Sequence, residues 1–168
     1  MTLRFTRVQL LLARVVVGLM AALVLAGVVW NGFSFETLSR LWRNVIERPD
    51  GPMLFRFFLQ PTMAAIVAYR DGMADARGGA RPFFQTVLTD PAQRKARLEE
   101  ALVATARIIL LGLVMDLIYQ VIEFRHFFPA EAVAIALLLA FLPYVVLRGV
   151  ITRVARWWLG TADVRGAG

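Results

Sequence analysis

The amino-acid sequence predicts an all-α membrane protein with four transmembrane helices. Four apolar runs carry this prediction, each about long enough to cross a hydrocarbon core of roughly 30 Å as a helix. They cover residues 8–30, 52–69, 101–124 and 130–147. Lipid cannot hydrogen-bond a bare backbone, so runs of this length without strand alternation are expected to be helices. The chain has 168 residues and a hydrophobic share of 59%, which fits a single unit with little mass outside the bilayer.

The basic residues predict the orientation of these spans. Eighteen Arg and one Lys give a net charge of +7. Thirteen of them precede or begin the first span, follow the second, or follow the fourth, whereas four lie at the opposite ends. Because cytoplasmic loops are enriched in Arg and Lys, we expect both termini and the 70–100 region in the cytoplasm. The first run exceeds the roughly 7–15 apolar residues of a cleavable signal peptide, so we expect it to be retained.

Charge and position also indicate a partner. The arginines flank apolar spans, which favours anionic lipid headgroups as their counterpart. Nucleic acid is not expected, because no basic and aromatic binding module lies outside the membrane. Four tryptophans are expected to anchor the chain at the two interfaces, namely Trp30, Trp42, Trp157 and Trp158.

Two connecting segments are expected to be ordered. Residues 34–47 place apolar side chains at i, i+3 and i+4 spacing, which predicts an amphipathic helix at the outer interface. A docking surface for another protein is the alternative for that segment. In the cytoplasmic segment 78–97, Asp90-Pro91 predicts the start of a helix, with Asp90 as N-cap and Gln93 at N3. This helix should extend the third span into the cytoplasm, and residues 148–168 should form a basic C-terminal tail.

Small residues recur every four positions in the first two spans. One row is Gly18, Ala22 and Ala26, and the other is Ala64, Ala68 and Gly72, continuing to Ala76. Such rows let helix backbones approach closely in lipid. We expect the first and second spans to pack against each other within the chain, with a dimer seam as the alternative.

Polar residues inside the spans are the main functional lead. They are Arg56, Gln60, Asp116, Tyr119, Gln120 and Glu123. Asp116, Gln120 and Glu123 share one helix face, and charges in hydrocarbon usually point toward partners. Arg56 and Asp116 lie at matched depth, about 6 Å and 8 Å from the same surface at 1.5 Å per residue. They are expected to form a buried pair that fixes helix register; a proton, ion or solute pathway is the alternative. Arg14 could similarly reach Asp71, Asp75 or Glu99.

A metal-dependent enzyme has little support in the sequence. The chain lacks Cys, and its single His lies in Glu123-x-x-His126, half of a di-iron carboxylate motif. One such element cannot complete a site within one chain, and the segment fits a tight turn between the third and fourth spans. We therefore expect no cofactor, no metal and no catalytic residue.

Two stretches carry a resemblance. Residues 56–77, beginning Arg56-Phe-Phe-Leu-Gln-Pro, and residues 115–132, beginning Met115-Asp-Leu-Ile-Tyr-Gln, resemble a group of small bacterial inner-membrane proteins of unassigned function. The resemblance implies four helices in the inner membrane and no known activity. The expected function is that of an accessory, scaffold or assembly subunit that contacts another membrane protein or itself. A small transporter or channel centred on Arg56, Gln60, Asp116 and Gln120 is the alternative.

Overall fold

The computed structural model describes residues 5–31, 39, 55–124 and 128–166, without the side chains of residues 31, 56, 123, 124 and 160–166. All elements in these ranges are helical, as the sequence predicts. In chain order they are α1 (Arg7–Asn31), α2 (Phe55–Arg77), α3 (Phe83–Thr89), α4 (Pro91–Tyr119), α5 (Pro129–Ala136) and α6 (Leu142–Gly166). Short π-helical turns continue α4 through Gln120–Phe124 and join α5 to α6 through Leu137–Phe141.

Three helical stretches in the described ranges are long and apolar enough to cross a membrane. They are Arg7–Trp30, Pro91–Ile122 and Pro129–Leu159, so the chain has the character of a membrane protein. The second predicted span, residues 52–69, falls within α2 and the residues before it, and α2 is not one of the three stretches. Its second half carries Arg70, Asp71 and Asp75, which lower its apolar character.

The start of α4 confirms the predicted helix cap. The Asp90 carboxylate accepts hydrogen bonds from the backbone N–H groups of Ala92 and Gln93, at 3.1 and 3.2 Å. The Gln93 side chain donates back to Asp90 Oδ2 at 2.8 Å. Asp90 thereby satisfies backbone donors that the first helical turn leaves free. From this cap α4 runs without a break into the apolar run, as the pattern predicts.

The helix that carries the fourth apolar run continues beyond residue 147. The chain is helical from Pro129 through the π turn and on to Gly166, so most of the residues predicted as a basic C-terminal tail are helical. The π turn lies just before Pro143, and the Leu142 N–H donates to the Leu137 carbonyl, a bond of π spacing. Because a proline ring crowds the preceding helical turn and donates no hydrogen bond, a local widening accommodates it without breaking the helix.

The most extensive helix–helix interface among the described residues joins α2 to α6. Within the small-residue row of α2, Ala64 and Ala68 are fully buried. A Cβ added at Gly72 would lie 2.9 Å from Ile151 Cγ2 and 3.1 Å from the Arg148 carbonyl oxygen. The absence of a side chain at Gly72 therefore sets how closely the two backbones approach.

The expected packing of the first span against the second is wrong for the described residues. Helix α1 packs against α4 and α5, and a Cβ at Gly27 would lie 2.6 Å from Ala130 Cβ. Gly18 and Ala22 are exposed, and a Cβ at Gly18 would meet no atom within 4 Å. Gly18 and Ala22 thus lie on a different face of α1 from the one that packs, which carries Ala13, Val16 and Gly27.

Helix α3 lies across one end of the bundle, against α4 and α6. It follows a tight turn at Gly78-Gly79, where Gly79 has a φ of 66° that favours glycine. Phe83 is buried. A Cβ added at Gly149 of α6 would lie 2.8 Å from Phe84 Cδ2, so the Phe84 ring rests on the α6 backbone. These two aromatic side chains hold α3 over the interior of the bundle.

Candidate functional site

Arg148 is the largest fully buried side chain in the described part of the chain. It lies on α6, and all three of its guanidinium nitrogens donate hydrogen bonds. Nε donates to Asp75 Oδ2 at 2.8 Å, Nη2 to Glu100 Oε1 at 2.7 Å, and Nη1 to the Tyr144 hydroxyl at 2.8 Å. One arginine therefore connects α2, α4 and α6.

Three more contacts complete this arrangement. Arg97 Nη1 on α4 lies 3.1 Å from Asp75 Oδ1 and 3.2 Å from Glu100 Oε2, so both carboxylates bridge two arginines. The Tyr144 hydroxyl donates to Asp71 Oδ2 at 2.6 Å. We call this set the Arg148 cluster; it comprises Asp71, Asp75, Arg97, Glu100, Tyr144 and Arg148.

The Arg148 cluster is closed on one side by aromatic rings. The guanidinium carbon of Arg148 lies 5.4 Å from the centroid of the Phe83 ring and 5.8 Å from that of Tyr144. Both distances suit cation–π attraction, which is stronger for a desolvated cation. Two carboxylates and two guanidiniums pair with one another here, and Tyr144 joins Asp71 to them, an arrangement that fixes the relative positions of three helices.

A second group of polar side chains lies at the end of α4. Its members Asp116 and Gln120 belong to the polar residues that were predicted to carry function. Asp116 and Gln120 are both fully buried, and Gln120 Nε2 donates to Asp116 Oδ2 at 2.6 Å. Gln120 also donates to the Phe128 carbonyl at 3.1 Å and accepts from the Phe128 N–H at 2.7 Å. Its amide therefore links the end of α4 to the residue just before α5. Tyr119 beside it is buried as well.

Gln60 of α2 and Glu131 of α5 are two further buried polar residues. Gln60 is fully buried and Glu131 is 2% exposed. A Cβ at Gly112 of α4 would lie 2.6 Å from Gln60 Nε2, so the amide rests directly on the α4 backbone one turn before Asp116. We call Gln60, Asp116 and Gln120 the Asp116 cluster.

An apolar layer separates the two clusters. Gln60 and Asp71 are eleven residues apart on α2, about 16 Å at 1.5 Å per residue. Small and branched apolar side chains fill the interior between them, namely Ala64, Ala68, Ile108, Ile109, Leu139 and Ala140. The described side chains thus provide no continuous polar route between the two clusters.

The remaining predicted residues divide into three groups. Ala64, Ala68 and Gly72 are buried against α6, whereas Gly18 and Ala22 are exposed and Ala26 is half-buried. Trp30, Trp157 and Trp158 are exposed, as residues at a membrane interface would be. Trp42, His126, all of 34–47 except residue 39, and the side chains of Arg56 and Glu123 lie outside the described parts, and with them the Arg56–Asp116 pair and the Glu123–His126 motif.

The Arg148 cluster was missed by sequence reasoning. Arg148 was assigned to the basic tail, and Asp71 and Asp75 were considered as partners for Arg14. In the described structure Arg14 is exposed, and those two carboxylates bind Tyr144, Arg97 and Arg148. A signal was present: Asp71/Asp75 and Tyr144/Arg148 are spaced i, i+4, and Arg97/Glu100 are spaced i, i+3, so each pair shares a helix face.

Among the residues that the structure describes, no group of three His, Asp or Glu side chains is arranged to hold a metal ion. Comparison with protein-family models, with curated proteins and with solved structures found no match to this chain.

Proposed function

We propose that this chain is a non-catalytic accessory or assembly subunit that acts through helix–helix contacts with another membrane protein or with a second copy of itself. The observation that carries the proposal is the exposure of α1. Only 17% of its most apolar stretch is buried within the chain, against 44% for α4 and 50% for α5–α6. Gly18 and Ala22 lie on the exposed side, and small residues of this kind permit close helix contacts in lipid.

The buried charges support a scaffold more than a reaction. Arg148 uses its three nitrogens on Asp75, Glu100 and Tyr144, so its charge is engaged in holding helices together. Buried ion networks of this kind are best attested as devices that specify one packing arrangement. A rigid core with one sparsely covered helix suits a protein that binds a partner through that helix.

We further propose a setting for this role in a bacterial inner membrane. The chain would cross four times, with α2 and the residues before it as the second crossing and both termini in the cytoplasm. Exposed Arg77, Arg81, Arg153 and Arg156 would then face anionic headgroups of the cytoplasmic leaflet. Arg156 Nη1 lies 3.5 Å from the Ala80 carbonyl, which joins the basic part of α6 to the turn before α3.

A small transporter or channel is the second candidate. The buried polar side chains of Gln60, Asp116 and Gln120 favour it, because polar residues inside a membrane often mark substrate pathways. The apolar layer between the Asp116 and Arg148 clusters opposes a continuous route in this conformation. Transport would therefore require helix rearrangement, whereas the accessory role would not.

Photo-crosslinking tests the accessory role. A benzophenone amino acid at Ala22, on the exposed face of α1, should crosslink to a defined protein when whole cells are irradiated. The same residue at Val150, an exposed position of α6, is the matched control and should give at most lipid adducts. Purification in mild detergent with two differently tagged copies would separate a second copy from another protein. A monomer that crosslinks only to lipid at both positions would overturn the proposal.

A further inference from the structure

Gln60 is buried without a hydrogen-bond partner among the described residues. Its side chain is fully buried, and both amide atoms, Nε2 and Oε1, lack a partner there. An amide has two donor hydrogens and an acceptor oxygen, and buried polar groups are nearly always bonded. Leaving such a group unsatisfied is costly, because it gives up its hydrogen bonds to water without replacing them. Gln120, by comparison, is equally buried and makes three hydrogen bonds within the protein.

The position of the amide is fixed by three helices. Gly112 leaves room on α4, because a Cβ there would lie 2.6 Å from Gln60 Nε2 and 3.3 Å from Ala136 Cβ of α5. The Gln60 amide therefore points into the junction of α2, α4 and α5 and away from the lipid-facing surface. A polar group held there must find its partners inside the bundle.

Asp116 is the nearest buried charge along α4. It lies one turn beyond Gly112 on the same face, and side chains in a helix lean toward the N-terminus, which here means toward Gly112. The Gln60 amide rests on Gly112, so it lies on the side toward which the Asp116 carboxylate leans.

We propose that the junction of α2, α4 and α5 is an internal water-binding site, in which water bridges the Gln60 amide and the Asp116 carboxylate. The two groups supply the donor and acceptor atoms that a buried water requires. The apolar layer of Ala64, Ala68 and Ile109 closes the site toward the Arg148 cluster. The water is therefore a fixed part of the core, and this inference goes beyond the accessory role and does not depend on it.

Solid-state NMR on the wild-type protein in deuterated lipid bilayers tests the site directly. Magnetisation is transferred from water to the 15N-labelled side-chain amides after a filter that removes bulk water signal. A transfer peak at the Gln60 amide is expected, and Gln85, which is exposed, shows that the unfiltered transfer works. A spectrum with the Gln85 peak before filtering and no Gln60 peak after filtering would overturn the proposal.

The thermal stability of Gln60→Met provides an independent test, because a water-bridged amide and an unsatisfied amide predict opposite changes of the melting midpoint. Met has a similar volume and no hydrogen-bonding amide. If Gln60 binds water on behalf of Asp116, the substitution removes a partner of that carboxylate, and the melting midpoint should fall. If the amide is simply unsatisfied, an apolar side chain relieves its cost and the midpoint should rise, which would contradict the proposal. Gln120→Met should lower the midpoint in either case and so shows that the assay responds. Should Gln60→Met fail to fold, the NMR measurement on the wild type decides.

Discussion

Arg148 and Asp75 are 73 positions apart in the chain, and Arg148 Nε donates a hydrogen bond of 2.8 Å to Asp75 Oδ2. The guanidinium is fully buried and the carboxylate nearly so. A buried charge is tolerated when it is paired and hydrogen-bonded, and this pair ties α6 to α2. The contact explains how the longest helical run of the chain can carry an arginine in its interior.

Arg148→Met should be strongly destabilising. It leaves Asp75 and Glu100 with Arg97 as their remaining cation, and removal of one partner from a buried pair typically costs about 3–5 kcal/mol. Thermal unfolding in detergent should show a large fall of the midpoint. Arg153→Met, an exposed change on the same helix, should have little effect. Adding Asp75→Asn to Arg148→Met should recover part of the loss, and strictly additive effects would mean that the two side chains do not interact.

Phe83→Ala should expose the Arg148 cluster to water. The ring is 1% exposed and covers the Arg148 guanidinium, so its loss removes both apolar burial and a cation–π contact. Truncation of a buried Phe costs about 3–5 kcal/mol. Leu88→Ala is the control, since Leu88 lies on the same helix and is 72% exposed. Equal stability of the two variants in a thermal melt would contradict the role of α3 as a cover.

Gly72→Ala and Gly18→Ala should differ in their effect on stability. The added methyl at Gly72 would lie 2.9 Å from Ile151 Cγ2 and 3.1 Å from the Arg148 carbonyl oxygen, both shorter than ordinary van der Waals contact. Overpacking of this kind typically costs about 1–3 kcal/mol. The methyl at Gly18 meets nothing within 4 Å in the chain, so folding of the single chain should be unaffected. Melting curves in detergent would compare them. An unchanged melting midpoint in Gly72→Ala would contradict the close approach of α2 and α6 at this position.

The Arg56–Asp116 pair stays a prediction that a double-mutant cycle can test. Asp116→Asn and Arg56→Gln should each lower thermal stability, because each leaves one buried charge uncompensated. The double variant should lose less than the sum of the single losses. If the pair only fixes helix register, the double variant should also keep whatever complex the wild type forms. Loss of function in a double variant that folds normally would instead favour the transport alternative.

Topology reporters would test the four-span arrangement. Tags at both termini and in the turn at residues 78–81 should report the cytoplasm, because the basic residues divide so unevenly across the membrane. A reporter near Asn44 should report the opposite side. If the reporters at Asn44 and at 78–81 lie on the same side, α2 does not cross the membrane and the chain has three spans.

Features that depend on neighbours in sequence were predictable. The helical runs follow from apolar length, and the Asp90 cap follows from an Asp-Pro step placed three residues before Gln93. The contact between Asp116 and Gln120 follows from i, i+4 spacing. Each of these requires only the geometry of a single helix.

Features that depend on which helices meet were not predictable in the same way. Both α1 and α2 carry a row of small residues, and only the row on α2 packs within the chain. In lipid no hydrophobic force selects one apolar face over another, so fine steric fit at residues such as Gly27 and Gly72 makes the choice.

The helical, apolar and membrane-suited character of this chain follows from its amino-acid order alone, because those properties are local and additive along the chain. The burial of Arg148 among Asp75, Glu100 and Tyr144, and the position of Gln60 on Gly112, depend instead on how the helices pack. A charge next to an apolar run can either extend to the headgroups or turn inward to partners. Which outcome has the lower free energy depends on carboxylates supplied by helices distant in sequence.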